Sequence, residues 1–158
     1  MRLFVAYRLP GDYTLKFSST LAGLAKQHRG AYVLPKDLHV TFAFLGEVPE
    51  SVAPRLIVAL RRVVRAVPCF RLKIRSLVAL PHTRPHILAL AIKPVPEVNL
   101  LQQQLLLVAA RFKIQAQAKP PHVTLCRLKQ AAALSVPQLS LPTSDFLLTE
   151  IQLIKSTL

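Results

Sequence analysis

The chain has 158 residues and carries 21 Lys and Arg against 7 Asp and Glu, for a formal net charge of +14. It is 52% hydrophobic, which excludes a disordered chain, because disorder needs low hydrophobicity as well as high charge. Its longest purely apolar runs, at 87–92 and 105–110, are far shorter than the roughly 20 residues of a membrane-spanning helix. Arg8 interrupts the first apolar stretch too early for a signal-peptide core. The two Cys, at 69 and 126, form neither a disulfide framework nor a zinc motif. A soluble, cytoplasmic, monomeric protein with no membrane association is expected. The length suits one domain with a real apolar interior.

The charge favours an anionic partner, nucleic acid first. It owes as much to scarce acids as to abundant bases, and the bases are dispersed, with Arg61, Arg62 and Arg65 the densest group. Charge by itself leaves a solvated surface equally open.

In chain order, residues 2–8 read as a first strand. Residues 14–27 carry Leu15, Leu21 and Leu24 at helical spacing after a Pro10-Gly11-Asp12 turn. Residues 38–45 alternate as a strand, with Val40, Phe42 and Phe44 on one face and His39, Thr41 and Ala43 on the other. Glu50 or Ser51 can cap a helix running to about Ala66, striped by Leu56, Leu60, Val63, Val64 and Val67. Residues 70–77 alternate again, placing Arg71, Lys73 and Arg75 on a solvated basic face. After a turn at 81–85, residues 86–93 pair back as a buried strand. A third helix over 97–112 uses Leu101, Leu105 and Val108. Residues 120–128 form a strand like that at 38–45, and after a loop of Ala, Ser and Pro, residues 146–155 form the last strand. This mixture of hairpins and crossovers predicts an α+β fold with antiparallel pairing.

One tetrapeptide occurs twice. His39-Val40-Thr41-Phe42 recurs as His122-Val123-Thr124-Leu125, and each copy starts a strand after a Pro-containing loop. Alternation points His and Thr of each copy the same way, with Val turned to the core. If the two halves are pseudo-symmetric, the two pairs can face each other across a cleft. Two imidazoles with ordinary pKa values of about 6.5 can hold opposite protonation states near neutrality, one as base and one as acid. Two hydroxyls between them can hydrogen-bond the non-bridging oxygens of a phosphodiester. No cofactor is needed, and no Asp, Glu and His cluster is evident to hold a metal. A single His-x-Thr is common by chance and more often structural; a second copy with the same context favours catalysis.

On these motifs the chain resembles the two-histidine phosphoesterase superfamily, and within it the bacterial and archaeal RNA 2′,3′-cyclic phosphodiesterases, also called 2′-5′ RNA ligases. Supporting segments are Arg2-Leu3-Phe4-Val5-Ala6, Leu38-His39-Val40-Thr41-Phe42-Ala43-Phe44-Leu45-Gly46-Glu47, Pro121-His122-Val123-Thr124-Leu125-Cys126-Arg127 and Ile154-Lys155-Ser156-Thr157-Leu158. The resemblance implies one bilobal domain over 1–158: two pseudo-symmetric lobes, each an antiparallel sheet with helices packed outside, and an active-site groove between them. It implies metal-independent hydrolysis of a terminal RNA 2′,3′-cyclic phosphate to a 2′-phosphomonoester, with 2′-5′ RNA joining as a side activity. Partners would be RNA 3′ ends or nucleoside 2′,3′-cyclic phosphates. By the same resemblance His39 and His122 are the acid–base pair, and Thr41, Thr124 and Arg127 bind phosphate. Phe44 matches a family aromatic that stacks on a nucleobase, whereas strict alternation sends it to the core with Val40 and Phe42 unless the strand bulges.

The absence of Trp from this chain departs from many relatives and bears on base preference. His82 and His86 read as surface-loop residues and His28 as a helix end. Cys126 falls on the His122 side by alternation, as a small filler rather than a nucleophile. Two alternatives stand beside the leading reading: the same site acting on another cyclic phosphate such as ADP-ribose cyclic phosphate, and a non-catalytic basic RNA-binding module.

Overall fold

The computed structural model describes residues 1–27, 29–81, 83–129 and 145–156. The elements, in order, are β1 (Arg2–Arg8), α1 (Gly11–Gln27), β2 (Gly30–Tyr32), a 3₁₀ turn (Pro35–Asp37), β3 (His39–Glu47), α2 (Ala53–Ala66), β4 (Arg71–Leu80), β5 (Ile87–Ile92), α3 (Pro96–Arg111), β6 (His122–Leu128), β7 (Asp145–Leu147) and β8 (Gln152–Lys155). Strands pair antiparallel in the order β7-β4-β5-β6-β3-β1-β8, and β2 adds to β6. The fold is α+β, as the mixed hairpins and crossovers require. Among the described residues no helix is long and apolar enough to cross a membrane.

The sheet falls into two halves. β8, β1 and β3 make one, and β7, β4, β5, β6 and β2 the other; a single residue pair, Val40 opposite Val123, joins them. Both valines are fully buried, in one core with Leu56 and Leu60 of α2, Leu101 and Leu105 of α3, and Phe17, Leu21 and Leu24 of α1. The helices therefore cover the face to which Val40 and Val123 point. The opposite face of the same strands is left for chemistry.

Several elements differ from the sequence reading. α1 begins at Gly11, and its buried stripe is Phe17, Leu21 and Leu24; Leu15, assigned to that stripe from spacing, is 74% exposed. α2 starts at Ala53, with Val52 at its N-cap and no side-chain cap, so neither Glu50 nor Ser51 plays that part. β2 was not anticipated; three residues are too few to show a period. The expected last strand is two: β7 pairs with β4 and β8 with β1. One short segment thus supplies both outer strands of the sheet. The Ala, Ser and Pro loop, His28 and His82 lie outside the described residues.

Candidate active site

The two His-x-Thr copies meet through their valines. His39 and Thr41 flank Val40, and His122 and Thr124 flank Val123, so all four side chains leave the sheet on the face away from the helices. One residue to either side of the joining pair, the antiparallel register sets His39 beside Thr124 and Thr41 beside His122. The two histidines are then diagonal neighbours, with backbones about 7–8 Å apart. Each side chain of the quartet is half-buried.

Both imidazoles are held alike. Nδ1 of His39 lies 2.7 Å from the Asp37 carbonyl, and Nδ1 of His122 lies 2.8 Å from that of Pro120, each two residues upstream. A carbonyl oxygen only accepts, so each Nδ1 donates. Nε2 is left with a lone pair in the neutral ring and a proton in the charged one. The proline loops that precede both motifs in the sequence are therefore the parts that fix the rings: one forms the Pro35–Asp37 turn and the other supplies the Pro120 carbonyl.

Two matched β-bulges complete the arrangement. Along β3 the partners on β1 run Val5 opposite Ala43 and then Ala6 opposite Thr41, so Phe42 is the extra residue. Along β6 the partners on β5 run Leu88 opposite Cys126 and then Ala89 opposite Thr124, so Leu125 is the extra one. In each bulge two consecutive side chains go to the core: Phe42 with Ala43, and Leu125 with Cys126, all fully buried. The next residue then returns to the histidine face. That residue is Phe44 in one half and Arg127 in the other.

The bulges revise three assignments made from alternation. Ala43, set beside His39 and Thr41 by alternation, is fully buried in the core. Phe44 is 38% exposed, on the face of His39 and Thr41, and not in the core. Cys126 is fully buried and turned away from His122. Arg127, three residues past Thr124, would point to the core in an unbroken strand; the bulge brings it round exposed, and among the described residues no carboxylate pairs with it.

The lining from β1 and β5 went unread in the sequence. Ala6 stands opposite Thr41 and Ala89 opposite Thr124, both small side chains and both fully buried. Arg8 lies opposite His39 and ion-pairs with Asp37 at 3.7 Å, whereas Ala91 lies opposite His122. The Phe4 ring is 5.2 Å from the His39 ring and 6.4 Å from that of Phe44. Lys119 places its Nζ 5.7 Å from the Phe44 centroid, within cation–π range. One end of the face is thus aromatic, and Arg127 marks the other. Phe4 and Arg8 are the partly or fully exposed alternates of β1, which is the signal that would have found them. His86 caps β5 on the outside, exposed, with Nδ1 3.2 Å from the Arg84 carbonyl.

Gly30 of β2 has a steric duty beneath this face. A Cβ there would meet Cys126 Sγ and stand 2.6 Å from the Arg127 carbonyl oxygen. Burial pushes the Cys126 thiol up from its ordinary pKa, and burial with Cys126 as neighbour pushes Tyr32 up to about 12. Among the described residues no group of three or more His, Cys, Asp or Glu side chains comes together as a metal site would require.

The sequence profile of the 2′-5′ RNA ligase superfamily matches residues 15–157. The chain belongs to this family of two-histidine phosphoesterases. A curated relative, the RNA 2′,3′-cyclic phosphodiesterase of Aquifex aeolicus (strain VF5), is 31% identical over 105 residues, which is 63% of this chain and 56% of that protein. The match thus spans little more than half of that relative's length. Among solved structures, TT0787 of Thermus thermophilus shares the fold at a TM-score of 0.85 and 24% identity, over 100% of this chain and 90% of that one. E. coli LigT, crystallised with 3′-AMP, superposes at a TM-score of 0.78 with 27% identity, over 96% of this chain and 85% of that one.

Proposed function

We propose that this single bilobal domain is an RNA 2′,3′-cyclic phosphodiesterase that opens a terminal cyclic phosphate to a 2′-phosphomonoester by paired histidine catalysis. The observation carrying this reading is the Val40–Val123 pairing, which sets two imidazoles and two hydroxyls on one face in crossed positions. His39 and His122 are the acid–base pair: Nε2 of one takes a proton from the attacking water, and Nε2 of the other protonates the departing O3′. The bond from phosphorus to the water oxygen forms as the bond to O3′ breaks. Thr41 and Thr124 donate to the non-bridging oxygens, where charge gathers in the transition state. Arg127 adds a guanidinium to those oxygens, and Phe44 offers its exposed ring to the base. Joining of 2′-5′ ends is the same step with an RNA 5′-hydroxyl in place of water: the bond from phosphorus to O5′ forms as the bond to O3′ breaks, leaving a 2′-5′ diester and a free 3′-hydroxyl.

The family and the Aquifex aeolicus relative support a phosphoesterase acting on such ends. The test is hydrolysis of nucleoside 2′,3′-cyclic monophosphates in the presence of EDTA. His39→Ala and His122→Ala should each lower kcat by about 10²–10⁴-fold, the usual worth of a positioned acid or base, while circular dichroism stays unchanged. Activity that vanishes with the chelator, or either variant retaining full activity, would overturn the reading.

A further inference from the structure

The histidine face continues sideways onto β5 and β4, and its charge does so on one flank only. His122 stands opposite Ala91, and Ala91 opposite Ser76. Beyond them β4 carries a bulge of its own, between Ile74 and Ser76, and here both residues of the bulge, Arg75 and Ser76, leave the core side. Arg75, Lys73 and Arg71 thus extend the catalytic face, all exposed. Lys93 joins them: its N–H donates to the Lys73 carbonyl at 2.8 Å, which continues the β4–β5 register and sets the two lysines opposite each other. Like charges directly opposite on a sheet repel.

The carboxylates nearby do not neutralise this row. Asp145, opposite Lys73 on β7, closes its ion pair on Arg71 at 3.4 Å. Among the described residues Arg75, Lys73 and Lys93 have no ion-pair partner. The other flank differs. There β8 contributes Gln152 opposite Ala6 and Ile154 opposite Phe4, both uncharged, while Arg8 is taken by Asp37 and Arg2 stands opposite Glu47.

We propose that Lys93, Arg75 and Lys73 form a track for the RNA backbone, holding phosphates of the nucleotides 5′ to the one in the catalytic groove. Strands lie about 4.8 Å apart, so Arg75 on β4 sits roughly 10 Å from the His122 strand, and Lys73 one pleat repeat, about 7 Å, further along. That places successive cations outward from the groove in one direction. The preferred substrate is then an oligoribonucleotide, and a lone nucleoside cyclic phosphate uses only the groove. This rests on the cyclic phosphodiesterase reading, and binding separates the two.

The experiment compares the wild type, Lys93→Ala/Arg75→Ala, and a control of equal charge loss on the exposed side of α2, Arg55→Ala/Arg62→Ala. Binding of a labelled single-stranded oligoribonucleotide of about eight nucleotides is measured against salt, together with kcat/KM for a cyclic-phosphate-ended oligonucleotide and for a nucleoside cyclic phosphate. The track predicts a salt slope shallower by about 1.4 in the Lys93 and Arg75 variant, about 0.7 for each phosphate no longer neutralised. It also predicts that the oligonucleotide-to-mononucleotide ratio of kcat/KM falls about tenfold, a few-fold for each exposed charge pair. The control should keep the wild-type values of both. An unchanged slope and ratio in the track variant, or an equal fall in the control, overturns the track. A wild type that binds RNA with the predicted slopes yet hydrolyses neither substrate overturns the catalytic reading and leaves the track standing as a binding surface.

Discussion

Gln102 is the buried polar side chain among the described residues, and its amide nitrogen serves two carbonyls at once. Its Nε2 donates to the Phe42 carbonyl at 3.1 Å and to the Lys119 carbonyl at 2.9 Å. The first belongs to the bulge of β3, where the ladder leaves a carbonyl unpaired. The second belongs to the segment entering β6. One helix side chain therefore ties together the approaches to both histidines. Gln102→Leu keeps most of the volume and strands both carbonyls, so it should cost about 1–3 kcal/mol in urea unfolding. Gln102→Glu, whose carboxylate can only accept, should cost more. If both variants match the wild type, the amide contributes nothing to stability. Nothing local in the sequence marked this residue; it is the first of three consecutive glutamines, 102–104, and its partners lie 60 and 17 residues away.

At the level of strands, alternation gave the right face for His39, Thr41, His122 and Thr124 and the wrong one for Ala43, Phe44 and Cys126. The division has a physical reason. Within a strand the side-chain period of two holds residue by residue, but a bulge is a mismatch between two strands, and β1 and β5 are distant from β3 and β6 in the chain. Periodicity in β3 carries no record of where β1 falls out of step. The resemblance to a family placed Arg127 in the site, whereas alternation within the strand would have rejected it. The same strands explain Gly30. β2 runs so close to the bulged part of β6 that a methyl at position 30 would strike the Arg127 carbonyl, 2.6 Å away, and the Cys126 sulfur. Backbone cannot yield as a flexible side chain can, so Gly30→Ala should force β2 from β6. A loss of roughly 1–3 kcal/mol is expected, as for overpacking in a core, with faster amide exchange at residues 30–32. Gly30→Ala at wild-type stability and exchange would show that the strands tolerate the separation.

Across the whole molecule, stability at high pH has an identifiable contributor. Tyr32 keeps its proton to about 12 in the folded chain against about 10 when unfolded, because burial and neighbouring Cys126 disfavour the phenolate. A raised pKa of this kind gives stability that is complete below the unfolded value and is lost as pH climbs through the folded one. The wild type should therefore lose stability between about pH 10 and 12, with Cys126, also raised, acting in the same direction. Tyr32→Phe should lose less over that interval in urea midpoints. Parallel losses in the two proteins would assign the alkaline transition to other groups. The α+β class, the repeated motif and the two-part arrangement were all legible in the sequence. The division of the final segment between β7 and β8 was not, since the two strands that receive it, β4 and β1, impose it from opposite edges of the sheet.

The near-twofold relation between the halves has a consequence for docking geometry. Turned by half a revolution about the Val40–Val123 junction, His39 exchanges with His122 and Thr41 with Thr124, so those four groups would accept a phosphodiester equally well either way round. On the proposed reaction only one orientation would aim the scissile oxygen at the protonated ring, and a perfectly symmetric pocket would waste half its encounters. The unlike pairs, Phe44 against Arg127 and Arg8 against Ala91, lift that degeneracy. A difference of about 1.4 kcal/mol between the two poses already gives a tenfold choice. Directionality in this molecule thus resides in the places where its two halves disagree.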